Sequence, residues 1–85
     1  MVTWKRGFLE IIGEILQVLS EKPIKKSHIS FKSNLDSRAV TKYLRIMNQI
    51  DLVKRDEKDS SEFTLTQKGV KFLENYLELV KMVKK

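Results

Sequence analysis

The sequence predicts a mainly α-helical domain with one small β-hairpin, which is an α+β fold. The chain has 85 residues, enough for one domain, and we expect residues 1–85 to form it. Apolar residues recur with helical spacing in three segments, and two short strand-like runs lie between the second and the third of these segments. The chain has no cysteine, which excludes disulfide bridges and thiolate metal sites.

The first helical segment runs from about Arg6 to Ser20. Its apolar face carries Phe8, Ile12, Ile15 and Leu19, and its polar strip consists of Glu10, Gly13, Glu14 and Gln17. Pro23 ends this segment because proline cannot donate a backbone hydrogen bond. Ile24 then fits a short strand, and Ser27 is the predicted N-cap of a second helix of about two turns.

A turn signal, Ser33-Asn34, separates the second helix from a third that spans residues 36–51. Asp36 is a good N-cap for it, because an aspartate side chain can accept hydrogen bonds from the free amides of the first turn. Val40, Leu44 and Met47 share the inward face of this helix.

The third helix is followed by a predicted hairpin and a last helix. Leu52 to Arg55 and Glu62 to Leu65 have strand patterns, and the polar residues 56–61 form the turn between them. Thr66 is the predicted N-cap of the last helix, residues 66–85. This order of elements is the winged helix-turn-helix plan: a three-helix core, a wing and a long C-terminal helix.

Four motifs in this order resemble a known family. They are KRGFLEII from Lys5 to Ile12, SHISFKSNL from Ser27 to Leu35, KYL from Lys42 to Leu44, and LTQKG from Leu65 to Gly69. Together they are similar to the small archaeal winged helix-turn-helix proteins, which are DNA-binding proteins and presumed transcriptional regulators. The resemblance implies the same fold, double-stranded DNA as the partner and, as in some members, dimerisation through the last helix.

Two departures from that family matter. Asp51 stands before the wing where a glycine is common, although aspartate tolerates a left-handed backbone better than most residues. The last helix is also too short for a long coiled coil.

The charge of the chain favours a polyanionic partner. The formal net charge is +6 and the sequence pI is about 9.7. Many small proteins are basic without such a partner, so the position of the charges carries more weight than their sum. With Val40 and Leu44 inward, the third helix turns a polar, basic face outward, which suits base and phosphate contacts in the major groove. This face carries Arg38, Thr41, Lys42, Arg45 and Gln49, and Ser37 lies near it at the start of the helix.

Other basic residues are candidates for phosphate contacts outside the third helix. The second helix region contains Lys22, Lys25, Lys26 and Lys32, of which Lys32 is the favoured candidate. Lys5 and Arg6 form a further basic pair, and Lys54 and Arg55 lie in the first strand of the wing. From Lys54 to Asp59 the charges cancel, and the acidic tip is not expected to enter the minor groove.

The sequence offers no basis for catalysis. It has one histidine, His28, three isolated glycines and no cysteine, so no nucleophilic triad, phosphate loop or metal site can be assembled. We expect a non-enzyme without cofactor, metal or evident small-molecule effector. No apolar run reaches the ~18 residues of a membrane span. The N-terminus does not fit a secretory signal, so the cytoplasm is the expected compartment.

The leading hypothesis is therefore double-stranded DNA binding by a transcriptional regulator that places residues 36–51 in the major groove. Two alternatives stay open. The fold could serve as a protein-interaction module, since fold alone does not fix function, or the chain could bind DNA without sequence preference as an architectural protein.

A homodimer is predicted from the width of the apolar face on the last helix. One stripe consists of Val70, Leu73, Leu77 and Val80, and a second stripe consists of Phe72, Tyr76, Leu79 and Val83. One stripe can cover the core of its own chain, and the second stripe is the predicted dimer interface. Alternatively, the helix wraps a larger share of its own domain.

Overall fold

The computed structural model describes residues 7–83 and confirms the predicted fold class: four helices and a small antiparallel sheet in the order of a winged helix. The elements are α1 (Phe8–Leu19), β1 (Ile24–Lys25), α2 (Lys26–Ser33), α3 (Ser37–Gln49), β2 (Val53–Arg55), β3 (Glu62–Leu65) and α4 (Gln67–Val83).

Helix α1 lies in the centre of the domain and contacts both α2 and α4. It begins after Gly7, whose backbone N–H donates to the Glu10 carboxylate at 3.1 Å. Five of its apolar residues are buried: Ile11, Ile12, Ile15, Leu16 and Leu19. Together with buried residues from each of the other helices and strands, they form one hydrophobic core.

The predicted polar strip of α1 does not face water throughout, because Tyr76 of α4 packs on it. Gly13 is buried, and a Cβ atom added there would lie 2.4 Å from the Tyr76 ring. Burial raises the pKa of Tyr76, and the negative charges of Glu10 and Glu14 raise it further. Glycine at position 13 therefore allows the close approach of α4.

Helix α2 begins two residues earlier than predicted, so Ser27 is not its N-cap. Lys25 occupies the cap position in an extended conformation, since it still pairs with Glu62 in the sheet, and the helix follows it directly. The turn after α2 is as expected. Asn34 is left-handed with φ 56°, and the Asp36 carboxylate accepts a hydrogen bond from the Ala39 N–H at 2.8 Å.

The sheet has three strands in the order β1-β3-β2, so β1 adds an edge to the predicted hairpin. Phe63 of β3 lies between Ile24 on one side and Arg55 on the other. Because side chains alternate along a strand, Arg55 shares the face of buried Val53, whereas Lys54 lies on the opposite face with its partner Thr64.

The junction between α3 and β2 closes the third helix in a Schellman motif. Asp51 is left-handed with φ 65°, its N–H donates to Asn48 O at 3.1 Å, and the Leu52 N–H donates to Met47 O at 2.8 Å. Leu52 is buried. Asp51 thus occupies the left-handed position at which a glycine is common in the family that the chain resembles.

The start of α4 is fastened to this junction. The Thr66 hydroxyl accepts from the Gly69 N–H at 2.9 Å, as predicted for an N-cap, and donates to Asp51 O at 2.5 Å. The Thr66 N–H donates to Leu52 O at 3.1 Å, and Lys68 Nζ donates to Ile50 O at 2.8 Å. Gly69 packs so closely that a Cβ atom there would lie 2.1 Å from Leu52 O.

The two apolar stripes of α4 do not divide into one inward and one outward stripe. Leu73 of the first stripe is buried, and Phe72 and Tyr76 of the second are half-buried against the core of their own chain. The two remaining residues of the predicted interface, Leu79 and Val83, are 60% and 82% exposed.

Candidate nucleic-acid interface

The outward face of α3 forms an open, basic surface. Val40, Leu44 and Met47 are buried as predicted, which turns the opposite side of the helix outward. A shallow groove of about 460 Å³ lies on this side, and its lining consists of Lys26, Ser37, Arg38, Thr41, Lys42 and Arg45. The groove therefore brings together five of the six residues that the sequence placed on or near this face, and Gln49 is exposed outside its lining.

A second, larger groove of about 750 Å³ lies between α3 and the sheet. It shares Lys26, Thr41 and Arg45 with the first groove, and Arg55 closes it on the side of the sheet. Among residues 7–83, no carboxylate lines either groove. The remaining lining is Leu44, Asn48, Ser61 and Phe63.

Arg55 is held in place by two contacts. Its Cζ atom lies 4.9 Å from the centroid of the Phe63 ring, a cation–π contact, and its Nη1 donates to Ser60 O at 2.8 Å. Asn48 Nδ2 donates to Val53 O at 3.1 Å, which ties the end of α3 to β2. These contacts fix the distance between the helix and the wing, and the guanidinium keeps further N–H donors for a ligand.

Lys26 is the residue of this surface that sequence reasoning did not select. It was grouped with Lys32, but Lys26 lines both grooves and Lys32 lines neither. Lys32 is exposed in the last turn of α2. Lys26 Nζ donates to Thr41 Oγ1 at 2.9 Å, so the first residue of α2 reaches the middle of α3. The sequence signal that could have identified Lys26 is its position directly after the short strand β1, because the end of that strand fixes where α2 begins.

One other described candidate, Lys54, lines neither groove. Lys54 lies on the far face of the sheet from Arg55. Lys5 and Arg6 fall outside the described residues.

The turn of the wing is acidic and ordered by its own side chains. The Asp56 carboxylate accepts from the N–H groups of Lys58 and Asp59, at 3.1 and 3.3 Å. The Asp59 carboxylate accepts from the N–H and the hydroxyl of Ser61, at 3.0 and 2.6 Å. These two bonds lower the pKa of Asp59, which stays charged. A charged carboxylate at the tip disfavours its approach to phosphates.

The charges of the α3 face are not neutralised within the described chain. Among residues 7–83 the one ion pair joins Lys81 and Glu78 of α4 at 3.7 Å, far along the chain from Arg38, Lys42 and Arg45. In the same residues no three potential metal-binding side chains of the His, Cys, Asp or Glu type come together. Of the helices between residues 7 and 83, none combines the length and the apolar character that crossing a membrane requires.

Two helices joined by a tight turn, followed by a β-hairpin and a closing helix, define a winged helix-turn-helix protein. The family model described as winged helix-turn-helix matches residues 5–84. The chain therefore belongs to the winged helix-turn-helix family.

Known proteins support this assignment. An uncharacterized protein of the archaeon Methanocaldococcus jannaschii is 31% identical over 80 residues, which are 94% of this chain and 79% of that protein. The resemblance to archaeal winged helix-turn-helix proteins is thereby confirmed.

Solved structures share the fold at lower identity. Wild-type Lactococcus lactis ZitR superposes with a TM-score of 0.71 at 23% identity, over 92% of this chain and 53% of ZitR. A mutant of S. aureus MepR bound to an oligodeoxyribonucleotide superposes with a TM-score of 0.73 at 20% identity, over 87% of this chain and 59% of MepR. The chain thus spans somewhat more than half the length of these proteins.

Proposed function

We propose that this chain binds double-stranded DNA with α3 in the major groove and acts as a transcriptional regulator. The observation that carries the proposal is the surface on which Ser37, Arg38, Thr41, Lys42 and Arg45 meet Lys26, with no carboxylate of the described residues in its lining. Arginine is the side chain best suited to read guanine O6 and N7, and lysine neutralises phosphates. The MepR structure that shares the fold has an oligodeoxyribonucleotide bound, which agrees with this use of the fold.

Phosphate contacts are expected on both sides of α3. Lys26 lies on the side of α2 and Arg55 on the side of the wing, with the larger groove between them. Lys32, Lys5 and Arg6 are proposed as further phosphate contacts, and Lys54 as a peripheral one. The charged tip of the wing stays outside the minor groove.

Titration of a duplex pool by fluorescence anisotropy at increasing salt tests the proposal. The logarithm of the affinity should fall with the logarithm of salt concentration by about 0.9 per phosphate neutralised. Arg38→Ala and Arg45→Ala should each weaken binding, whereas Lys71→Ala removes one positive charge from the exposed side of α4 and should change it little. A folded protein that binds no duplex at low salt would overturn the proposal.

Sequencing the bound fraction of a genomic duplex pool separates a regulator from an architectural protein. A few enriched sites are expected of a regulator, and even coverage of an architectural binder. A protein-interaction module is the second candidate, and Phe31 favours it, because this aromatic side chain is 84% exposed on α2. If docking were the function, Phe31→Ser would abolish partner binding and the Arg45→Ala variant would not.

We further propose a homodimer formed by the outer part of α4. Leu79, Met82 and Val83 are 60%, 74% and 82% exposed, and Leu77 beside them is 36% exposed. Phe72 and Tyr76 support this surface from their own core and contribute only their exposed edges. A two-fold dimer would present two copies of α3 to a palindromic site with half-sites about one helical turn apart.

Sedimentation at micromolar concentration tests the dimer. Leu79→Glu should give a monomer, because it places a charge in the apolar surface. Gln67→Glu introduces the same charge at an exposed position in the first turn of α4 and should leave the dimer intact. A wild-type protein that sediments as a monomer would refute the proposed interface.

A further inference from the structure

Thr41 occupies the middle of the outward face of α3, and its hydroxyl group already has two partners. The hydroxyl donates its proton to Ser37 O at 2.9 Å, one helical turn earlier. The same oxygen accepts a hydrogen bond from Lys26 Nζ at 2.9 Å. Thr41 is half-buried and lines both grooves.

These two bonds decide which group Thr41 can offer to a ligand. A hydroxyl has one proton to donate, and that proton is used within the helix. Threonine has few χ1 rotamers in a helix, and the bond to the carbonyl four residues earlier selects among them. The hydroxyl thus has no proton left for a base, and Lys26 occupies one of the two lone pairs of its oxygen. The apolar group that remains for a ligand is the Cγ2 methyl.

We infer that Thr41 recognises thymine through a methyl–methyl contact rather than through its hydroxyl. Thymine carries its C5-methyl group in the major groove, and a threonine methyl is one of the apolar groups suited to contact it. Lys26 acts as a positioning residue, since its ammonium group donates to the Thr41 oxygen and, together with the bond to Ser37 O, holds the side chain in one rotamer. The inference rests on the proposed binding of DNA through α3 and adds a base preference to it.

Replacing thymine by deoxyuridine isolates the methyl group, because the two bases differ only by the C5-methyl. A random-sequence duplex pool is first enriched on the wild-type protein, and each thymine of the enriched duplex is then replaced singly by deoxyuridine. A buried methyl contributes roughly 0.8 kcal/mol, which corresponds to about a fourfold change in affinity. At one position, the wild type should lose about fourfold in affinity.

Two variants of Thr41 assign this loss to the side chain. Thr41→Val keeps a methyl group and should retain the discrimination against deoxyuridine. Thr41→Ser keeps the hydroxyl and both hydrogen bonds but lacks the methyl, so it should bind the two duplexes equally.

Discrimination that is lost in Thr41→Val and kept in Thr41→Ser would overturn the inference. Equal binding of both duplexes by the wild type, or binding without enrichment of any sequence, would also overturn it while leaving DNA binding intact. Failure of the folded wild-type protein to bind any duplex would refute both the proposed function and the inference.

Discussion

Gly69→Ala tests how tightly α4 is fastened to the junction of α3 and β2. The added Cβ atom would lie 2.1 Å from Leu52 O, whereas a carbon and a carbonyl oxygen normally stay about 3.3 Å apart or more. The obstacle is backbone rather than a movable side chain, so the start of α4 must move away by about 1 Å. Such a shift would break the bonds from Thr66 to Asp51 O and Leu52 O, now 2.5 and 3.1 Å long.

The expected cost follows from these contacts. Losing two hydrogen bonds and leaving their carbonyl groups partly unpaired costs about 3 kcal/mol, and the higher helix propensity of alanine returns about 1 kcal/mol. The free energy of unfolding should therefore fall by about 2 kcal/mol. A domain of this size has about 4–13 kcal/mol in total, and its Tm should fall by roughly 8–16 °C.

Urea denaturation followed by circular dichroism measures this change. Gly7→Ala is the matched control, because the nearest atom to its added Cβ is Glu10 Oε1 at 3.8 Å, and φ at Gly7 is −85°. The control should lose less than about 1 kcal/mol, the cost of a poorer N-cap. If Gly69→Ala were as stable as Gly7→Ala, the close approach of α4 to Leu52 O would not govern stability.

Three further results are expected. Lys26→Ala and Arg55→Ala should each reduce the salt dependence of duplex binding by about one phosphate, whereas Lys71→Ala, on the exposed side of α4, should leave the slope unchanged in the same anisotropy titration. Asp51→Gly should be neutral or stabilising by up to about 1 kcal/mol, because glycine adopts φ 65° without strain, and Asp51→Val should be destabilising in urea. The free energy of unfolding should fall at alkaline pH, because the pKa of Tyr76 is raised above its ordinary 10.0 in the folded chain. The stability that neutral Tyr76 contributes is complete below pH 10.0 and is lost as the pH rises through the pKa of the folded chain. Tyr76→Phe should remove this part of the alkaline loss in pH-dependent melting.

The elements were predictable where short-range chemistry decides them. Asp36 and Thr66 cap their helices as expected, because a cap depends on residues within one turn. The buried face of α3 followed from the spacing of Val40, Leu44 and Met47. Ser27 failed as a cap because the pairing of Lys25 with Glu62, a contact far along the chain, sets where α2 begins.

The sequence predicts the residues that α3 contributes to the candidate site, but not the residues that other elements bring to it. Periodicity gives the outward residues of α3, but Lys26 reaches Thr41 only through the packing of α2 across α3. Alternation could have separated Arg55 from Lys54, since Val53 is apolar and Arg55 follows it by two residues. The contact of Tyr76 with Gly13 depends on the packing of α4 against α1, which no local pattern reveals.

The LTQKG motif shows why the resemblance of this chain to a known family predicts its fold better than its ligand. Thr66 bonds to Asp51 O and Leu52 O, Lys68 bonds to Ile50 O, and Gly69 allows the close packing beside them. These residues all act within the chain, at the end of α3 that carries the wing, and none lines either groove. The motif therefore accounts for how α4 is fastened to the end of α3 in this chain. What the chain binds depends on the residues that line the grooves, such as Arg38, Thr41 and Arg45, which the motif does not constrain.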